Sequence, residues 1–163
     1  MRPTWSCSTT RTISKRPPRV RPGALGFVLL FAFSLAGCSP KLPDGVDAKR
    51  LTETVGAVIG DPATCVILAE KGTGKVLWRS SRRSICAQER QACTRPGVTS
   101  PEALIKDAAK GVTLQTGCES VSWAAGPTPR AEVVYAAVMY GERALPGREI
   151  AYRLDSAFKA AGF

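Results

Sequence analysis

Residue types that carry catalysis in most hydrolases are scarce in this sequence. It contains neither His nor Asn, and the lack of His excludes every mechanism that uses an imidazole base. The familiar nucleophilic pair that remains is a serine activated by a desolvated lysine, and its Ser-x-x-Lys spacing occurs at Ser156 and Lys159. These residues fall in the amphipathic helix predicted to close the chain, with no oxyanion donors or cleft evident, so we interpret them as part of its solvated side.

Cysteine is the other residue type whose spacing carries chemistry. Four of the six cysteines, Cys65, Cys86, Cys93 and Cys118, lie in the body of the chain. They include no Cys-x-x-Cys spacing, and without His we expect neither a metal site nor a cofactor. In an exported protein an even number of cysteines predicts two disulfides. Of the three possible pairings we favour Cys86–Cys93, which closes a short loop, with Cys65–Cys118, which ties two elements together.

The first 37 residues have the pattern of an export signal. Six Lys and Arg residues and no acid precede an uncharged apolar run that starts at Ala24 and ends in small residues. A basic region, a short apolar region and small residues at the cleavage point are typical of secretory signals. The run is shorter than the roughly 20 residues that a spanning helix needs. We predict a signal peptide over 1–37, a tether over 38–45 and a single domain over 46–163.

The end of this signal, Leu35-Ala36-Gly37-Cys38, resembles a bacterial lipobox. The resemblance implies cleavage before Cys38 and a diacylglyceryl thioether on its sulfur, so that the protein contacts the membrane through lipid. Ser39 after the modified cysteine resembles the sorting signal for the outer membrane. We therefore expect a lipid-anchored protein of the bacterial cell envelope, facing the periplasm from the outer membrane. The alternative is an ordinary signal peptide or membrane anchor with a chance cysteine.

Charge argues against nucleic acid as a partner. The net charge of +10 falls to +4 after the signal, because six of the 23 Lys and Arg residues and none of the 13 acids precede Cys38. A basic footprint for nucleic acid is therefore not expected. The remaining cations include a cluster that we interpret as a solvated loop, the alternatives being contact with an anionic lipid or glycan surface or with a partner protein. This cluster is Arg79, Arg82, Arg83, Arg90 and Arg95.

Apolar periodicity predicts an α+β domain. We predict a small antiparallel sheet of four or five strands built from two hairpins, with N-terminal, middle and C-terminal helices packed on it. The stretch 131–139 is apolar on both faces and should lie centrally in the sheet. Ser100 is expected to cap the middle helix, which begins with Pro101. The predicted helices are 46–59, 101–111 and 146–161, and the predicted strands are 65–69, 75–79, 112–114, 120–124 and 131–139.

The first hairpin, 65–78, resembles the opening hairpin of penicillin-binding proteins and serine β-lactamases, especially class D. That family next carries a turn with a Ser-x-x-Lys nucleophile, and here Cys93 stands at the nucleophile position and Pro96 at the lysine position. The family's Lys-Thr-Gly strand resembles Gln115-Thr116-Gly117, with glutamine in place of lysine. The later strands and the closing helix are similar in character.

The resemblance implies a stripped, non-catalytic version of that fold. Only 22 positions separate Cys93 from Gln115, where the family carries a whole helical domain, and no Asn is present for its Ser-x-Asn motif. A Cys93 held in a disulfide cannot attack an acyl group, because the thiolate is the nucleophile. We therefore expect a binding or structural role, with peptidoglycan or an envelope protein as partner. The alternative function is a minimal or degenerate penicillin-recognising serine hydrolase.

Overall fold

The computed structural model describes residues 41–163, which form one compact unit. The predicted signal peptide, the lipobox with Cys38 and the first residues of the tether lie outside the described residues. The described part forms a five-stranded antiparallel sheet, a two-stranded ribbon and four helices. The α+β class predicted from the sequence, an antiparallel sheet with helices packed on it, is confirmed.

The sheet is built from the two hairpins that the sequence predicts and one further strand. Its strand order is β2-β1-β7-β6-β5, with all neighbours antiparallel, while β3 and β4 form the separate ribbon. The helices are α1 (Ala48–Ile59), α2 (Arg83–Cys86), α3 (Pro101–Ala109) and α4 (Gly147–Ala160). The strands are β1 (Cys65–Glu70), β2 (Val76–Arg79), β3 (Arg90–Gln91), β4 (Val98–Thr99), β5 (Leu114–Cys118), β6 (Val121–Pro127) and β7 (Val133–Tyr140).

The central strand is β7, as its two apolar faces predict. Seven of its eight residues are buried, and they alternate between two cores on opposite sides of the sheet. Tyr135, Ala137 and Met139 belong to one core, and Val134 and Ala136 to the other. Burial on both faces thus requires helices on both sides of the sheet.

Helices α1 and α4 cover one face of the sheet. Asp47 caps α1 by accepting a 2.8 Å hydrogen bond from the Arg50 backbone N–H, and side chains spaced four residues apart then point to the sheet. In α4, Leu154 and Phe158 follow the same spacing and are fully buried. The helical residues of this core are Leu51, Val55, Ile59, Ile150, Leu154, Ala157 and Phe158.

Helix α3 covers the opposite face. It begins at Pro101, as predicted, because Ser100 accepts a hydrogen bond from the Ala103 backbone N–H at 3.2 Å and closes the first turn. Its apolar side, which includes Leu104 and Ile105, shares a core with Trp123. None of the described helices is long and apolar enough to cross a membrane.

The favoured disulfide pairing is wrong. The structure joins Cys65 to Cys86 and Cys93 to Cys118, with Cα atoms 5.3 and 5.4 Å apart. Cys65 lies on β1 and Cys118 on β5, which stand three strand spacings apart in the sheet order. At about 4.8 Å per spacing the two are roughly 14 Å apart, beyond the reach of a disulfide.

Two other elements differ from their predicted positions. The stretch 80–98, predicted as a polar loop, contains α2, β3 and the first residue of β4, since the buried Cys86 and Ala92 fix it against the domain. The short strand predicted at 112–114 begins only at Leu114 and runs to Cys118. The predicted and observed strands share only Leu114. Apolar content alone misplaces this strand, because its residues alternate between half-buried and exposed.

Candidate functional site

The four residues that resemble family positions gather at one edge of the sheet. Gln115, Thr116 and Gly117 are consecutive on β5, which is an edge strand. Cys93 is bound to the end of the same strand through its disulfide with Cys118. The residue at the nucleophile position is therefore close to the strand that resembles Lys-Thr-Gly, but its sulfur is bonded and supplies no thiolate.

These residues are divided between the two faces of β5. Thr116 pairs with Trp123, whose side chain lies in the core under α3, and Cys93 packs against that same core. Gln115 pairs with Ala124, which belongs to the core under α1 and α4. Directly opposed residues point to the same face, so Cys93 and Gln115 do not face one shared cleft.

On the α3 side, the chain around Cys93 covers the end of the sheet. The indole Nε1–H of Trp123 donates a 2.8 Å hydrogen bond to the Gln91 carbonyl. Cys93 has a positive φ of 61°, which is uncommon for a residue with a Cβ. The hydrogen bond and the disulfide together hold this segment against β5 and β6.

The Ser-x-x-Lys spacing at Ser156 and Lys159 forms no nucleophilic pair. Both side chains are exposed on α4. The Ser156 hydroxyl donates to the Tyr152 carbonyl at 3.4 Å, and the Lys159 ammonium pairs with Asp155 at 2.7 Å. Each group is thus engaged with its own helix, and the lysine does not hydrogen-bond to the serine.

The α4 side of β5 carries two adjoining depressions, together called here the β5–α4 groove. The first, of about 380 Å³, is the tyrosine end, and the second, of about 620 Å³, is the helix end. Both are lined by Gln115 and Arg148, which stand where the two depressions meet. The tyrosine end also includes Thr113, Gly126, Tyr135, Tyr152 and Asp155, and the helix end Gly117, Glu119, Ser122, Ala144 and Gly147.

The tyrosine end combines a buried phenol with an exposed aromatic ring. Tyr135 comes from the central strand and packs on Phe158, with ring centroids 5.5 Å apart. Burial, with a smaller contribution from the charge of Asp155, raises the pKa of Tyr135 to about 12. Its hydroxyl has no hydrogen-bond partner among residues 41–163, and the Tyr152 side chain beside it is 70% exposed. This end therefore offers apolar surface with one neutral donor.

The helix end is formed where α4 meets the sheet. Gly147 begins the helix directly over the paired backbones of β5 and β6, since a Cβ there would lie 2.4 Å from the Trp123 carbonyl oxygen and 2.5 Å from the Thr116 nitrogen. No side chain caps this helix start. Ser122 is paired with Gly117 across the strands and is only 6% exposed. Arg148 is exposed and lines the same depression.

The arginine cluster is not one free patch. Arg79 and Arg83 both contact the Glu102 carboxylate, at 3.3 and 3.5 Å. The Arg90 guanidinium lies 4.4 Å from the centre of the Tyr140 ring, in a cation–π contact. Three of the five arginines are therefore engaged in contacts within the domain. Arg82 and Arg95 are exposed.

No group of three or more His, Cys, Asp or Glu side chains within residues 41–163 is placed to hold a metal ion. The β5–α4 groove itself offers hydrogen-bond donors, one guanidinium and apolar surface. The sequence matches no protein-family model, and no curated protein or solved structure gives a match either.

Proposed function

We propose that this chain is a lipid-anchored protein of the bacterial envelope whose domain binds a ligand without catalysis. The observation that carries the proposal is the contrast between the two faces of β5. On one face the nucleophile position, Cys93, is held in a disulfide. On the other, the β5–α4 groove presents polar groups that lack partners in the described domain. Such a concave site with few polar groups is suited to holding a ligand.

The proposed anchor is compatible with access to this groove. The tether reaches the domain beside the C-terminal end of α4, where the Asp47 backbone N–H bonds to the Ala161 carbonyl at 3.3 Å. The Arg130 guanidinium also donates to the Asp44 carbonyl at 2.7 Å. The groove's helix end lies at the other end of this 14-residue helix, about 20 Å away. A lipid on Cys38 therefore leaves that end of the groove away from the point of attachment.

The edge strand gives the proposed ligand a second kind of contact. β5 has a neighbour on one side only, so alternate backbone N–H and C=O groups face outward and can pair with an extended chain. When a peptide is bound by strand addition, these main-chain hydrogen bonds provide the affinity and the adjoining side-chain pockets provide the specificity. An envelope component, peptidoglycan or a protein of the envelope, is the ligand that we propose.

Anchoring and binding are tested separately. Cells fed a labelled fatty acid should yield a labelled membrane-bound protein, and Cys38→Ser should abolish the label. A photo-crosslinking amino acid in place of Tyr152 should trap an envelope component, whereas the same amino acid in place of the exposed Lys49 on α1 should not. An unlabelled Cys38 or equal crosslinking at both positions would contradict the proposal.

A penicillin-recognising relative is the second candidate. It is favoured by the disulfide that ties Cys93 to the strand bearing Gln115, Thr116 and Gly117, the positions that resemble the family motif. Fluorescent penicillin separates the two candidates, because an acyl-enzyme needs a free nucleophile. Covalent labelling lost in Cys93→Ala or Ser156→Ala would replace the binding proposal with an enzymatic one. An unlabelled protein would support the binding role.

A further inference from the structure

We propose that the helix end of the β5–α4 groove is a carboxylate-binding site for an organic monoanion. The site consists of the first-turn N–H groups of α4, the Ser122 hydroxyl and the Arg148 guanidinium. This inference rests on the proposed binding role and names the chemistry of its ligand. It does not depend on the lipid anchor, so its test can fail or succeed independently of anchoring.

The start of α4 supplies backbone donors that are not used within the domain. The hydrogen bonds of the first turn begin with the Glu149 N–H, which donates to the Pro146 carbonyl at 2.8 Å. The N–H groups of Gly147 and Arg148 have no acceptor among residues 41–163, and no side chain caps the helix. Free N–H groups and the helix dipole at an N-terminus together favour an anion.

Ser122 is the independent sign that a ligand belongs here. It is 6% exposed, lines the helix end and has no hydrogen-bond partner within the described domain. Gly117 is directly opposite on β5, and a Cβ at that position would lie 2.7 Å from the Ser122 oxygen. Its oxygen is nevertheless not fully buried, so the hydroxyl borders the depression and is free to hydrogen-bond to a ligand held there.

Arg148 gives the site its positive charge. Its side chain lines both depressions, and no carboxylate of the described residues lies within ion-pair distance of its guanidinium. The carboxylates that pair with arginines among the described residues pair with other ones: Glu102 contacts Arg79 and Arg83, and Glu149 contacts Arg153. Arg148 can therefore pair in a bidentate manner with an incoming carboxylate.

The charge balance favours a monoanion over a phosphate. Glu119 lies on the rim of the same depression, so one guanidinium faces one opposing carboxylate before any ligand binds. A dianion would be repelled by the Glu119 carboxylate and would have only the Arg148 guanidinium to offset its two charges. A monoanionic carboxylate needs only that one cation and the hydrogen-bond donors of the site. The depression of about 620 Å³ exceeds the volume of a lone ion, which points to a carboxylate on a larger molecule.

The body of that molecule has a place along the groove. Gln115 and Arg148 line both depressions, so a ligand held at the helix end continues past them to the tyrosine end. There it meets the exposed ring of Tyr152 and the free hydroxyl of Tyr135. A carboxylate with an apolar or aromatic body therefore satisfies both ends of the groove.

The test is a titration of the full chain in detergent micelles, followed by the amide NMR signals of Gly147 and Arg148. The probes are N-acetyl-L-phenylalanine, its neutral amide and inorganic phosphate. The variants are Arg148→Gln and Ser122→Ala, and the matched control is Arg143→Gln, an exposed arginine that does not line the groove. Near-UV circular dichroism of each variant checks that it is folded.

We expect the carboxylate to shift both signals saturably and the amide to leave them unchanged. Arg148→Gln should weaken binding about tenfold and Ser122→Ala about threefold, within the range for the loss of a single hydrogen bond, with Arg143→Gln within about twofold of the native value. The site would be overturned if the carboxylate gave no saturable shift or if the neutral amide bound equally well. It would also be overturned if all three variants weakened carboxylate binding equally. Phosphate binding as tightly as the carboxylate would overturn the assignment to a monoanion.

Discussion

The indole Nε1–H of Trp123 donates a 2.8 Å hydrogen bond to the backbone carbonyl of Gln91. Two residues later, Cys93 forms a disulfide with Cys118. The segment between α2 and α3 is thus attached twice to the β5–β6 hairpin, once by a hydrogen bond and once covalently. Both attachments lie on the α3 face, so this face is closed, while the β5–α4 groove on the opposite face stays open.

Replacing Trp123 with Phe should destabilise the domain by about 1–3 kcal/mol, because it removes the hydrogen bond to Gln91 and leaves a cavity in a fully buried position. Urea unfolding measures the loss. Trp78→Phe is the matched control, since Trp78 is half-buried and its indole makes no hydrogen bond to the described residues. An equal loss of stability in the two variants would show that the Gln91 contact contributes nothing.

Peptide mapping without reductant should recover Cys65–Cys86 and Cys93–Cys118. The two loops are similar in length, with separations of 21 and 25 residues, so removing either pair as a double Ala variant should cost about 2–4 kcal/mol. The two disulfides differ more in their exposure to solvent. Cys65 and Cys86 are fully buried, whereas Cys93 and Cys118 are half-buried, so dithiothreitol should reduce Cys93–Cys118 first. Simultaneous reduction of both would contradict this order.

Local signals in the sequence were sufficient for most of the framework. Ser100 followed by Pro101 marks a helix start that depends only on neighbouring residues. The uninterrupted apolar run around Ala136 marks a strand buried on both faces. The disulfide pairing was not accessible in this way, because it depends on which strands are neighbours. Nothing in the spacing of Cys65 and Cys118 reveals that two strands separate them.

The groove was equally hidden in the sequence. Ser122 reads as one residue of a predicted strand, and only its register with Gly117 places its hydroxyl in the groove. Arg148 reads as an ordinary polar residue at the start of a helix. Its importance arises from the close seating of Gly147 on the sheet, which is a tertiary contact. The family resemblance directed attention to Gln115 and Gly117, which line the groove, but not to Ser122 or Arg148.

Stability should fall with rising pH above about 10 because of Tyr135. Its folded pKa of about 12 exceeds the ordinary value of 10.0, mainly because the phenolate would be desolvated. The neutral form therefore stabilises the fold fully below pH 10, and this contribution is lost as pH rises toward 12, by up to about 1.4 kcal/mol per pH unit. Urea unfolding at several pH values should show a shallower decline for Tyr135→Phe. Tyr152→Phe, which changes an exposed ring, should keep the native slope.

Two glycines in helices should respond in opposite directions to alanine. At Gly147 a Cβ would lie 2.4 Å from the Trp123 carbonyl and 2.6 Å from the Thr116 carbonyl. Because backbone atoms cannot move aside as a flexible side chain can, Gly147→Ala should lift the start of α4 and cost about 2 kcal/mol or more.

Gly56, in the middle of α1, is the matched control. A Cβ there meets nothing within 4 Å, so Gly56→Ala should gain up to about 1 kcal/mol from helix propensity alone. Urea unfolding gives both values. The same two variants also test the groove, since lifting α4 moves its first-turn donors away from Ser122 and should weaken carboxylate binding, which Gly56→Ala leaves unchanged. A stable Gly147→Ala protein with native binding would mean that α4 is not seated against the sheet as described.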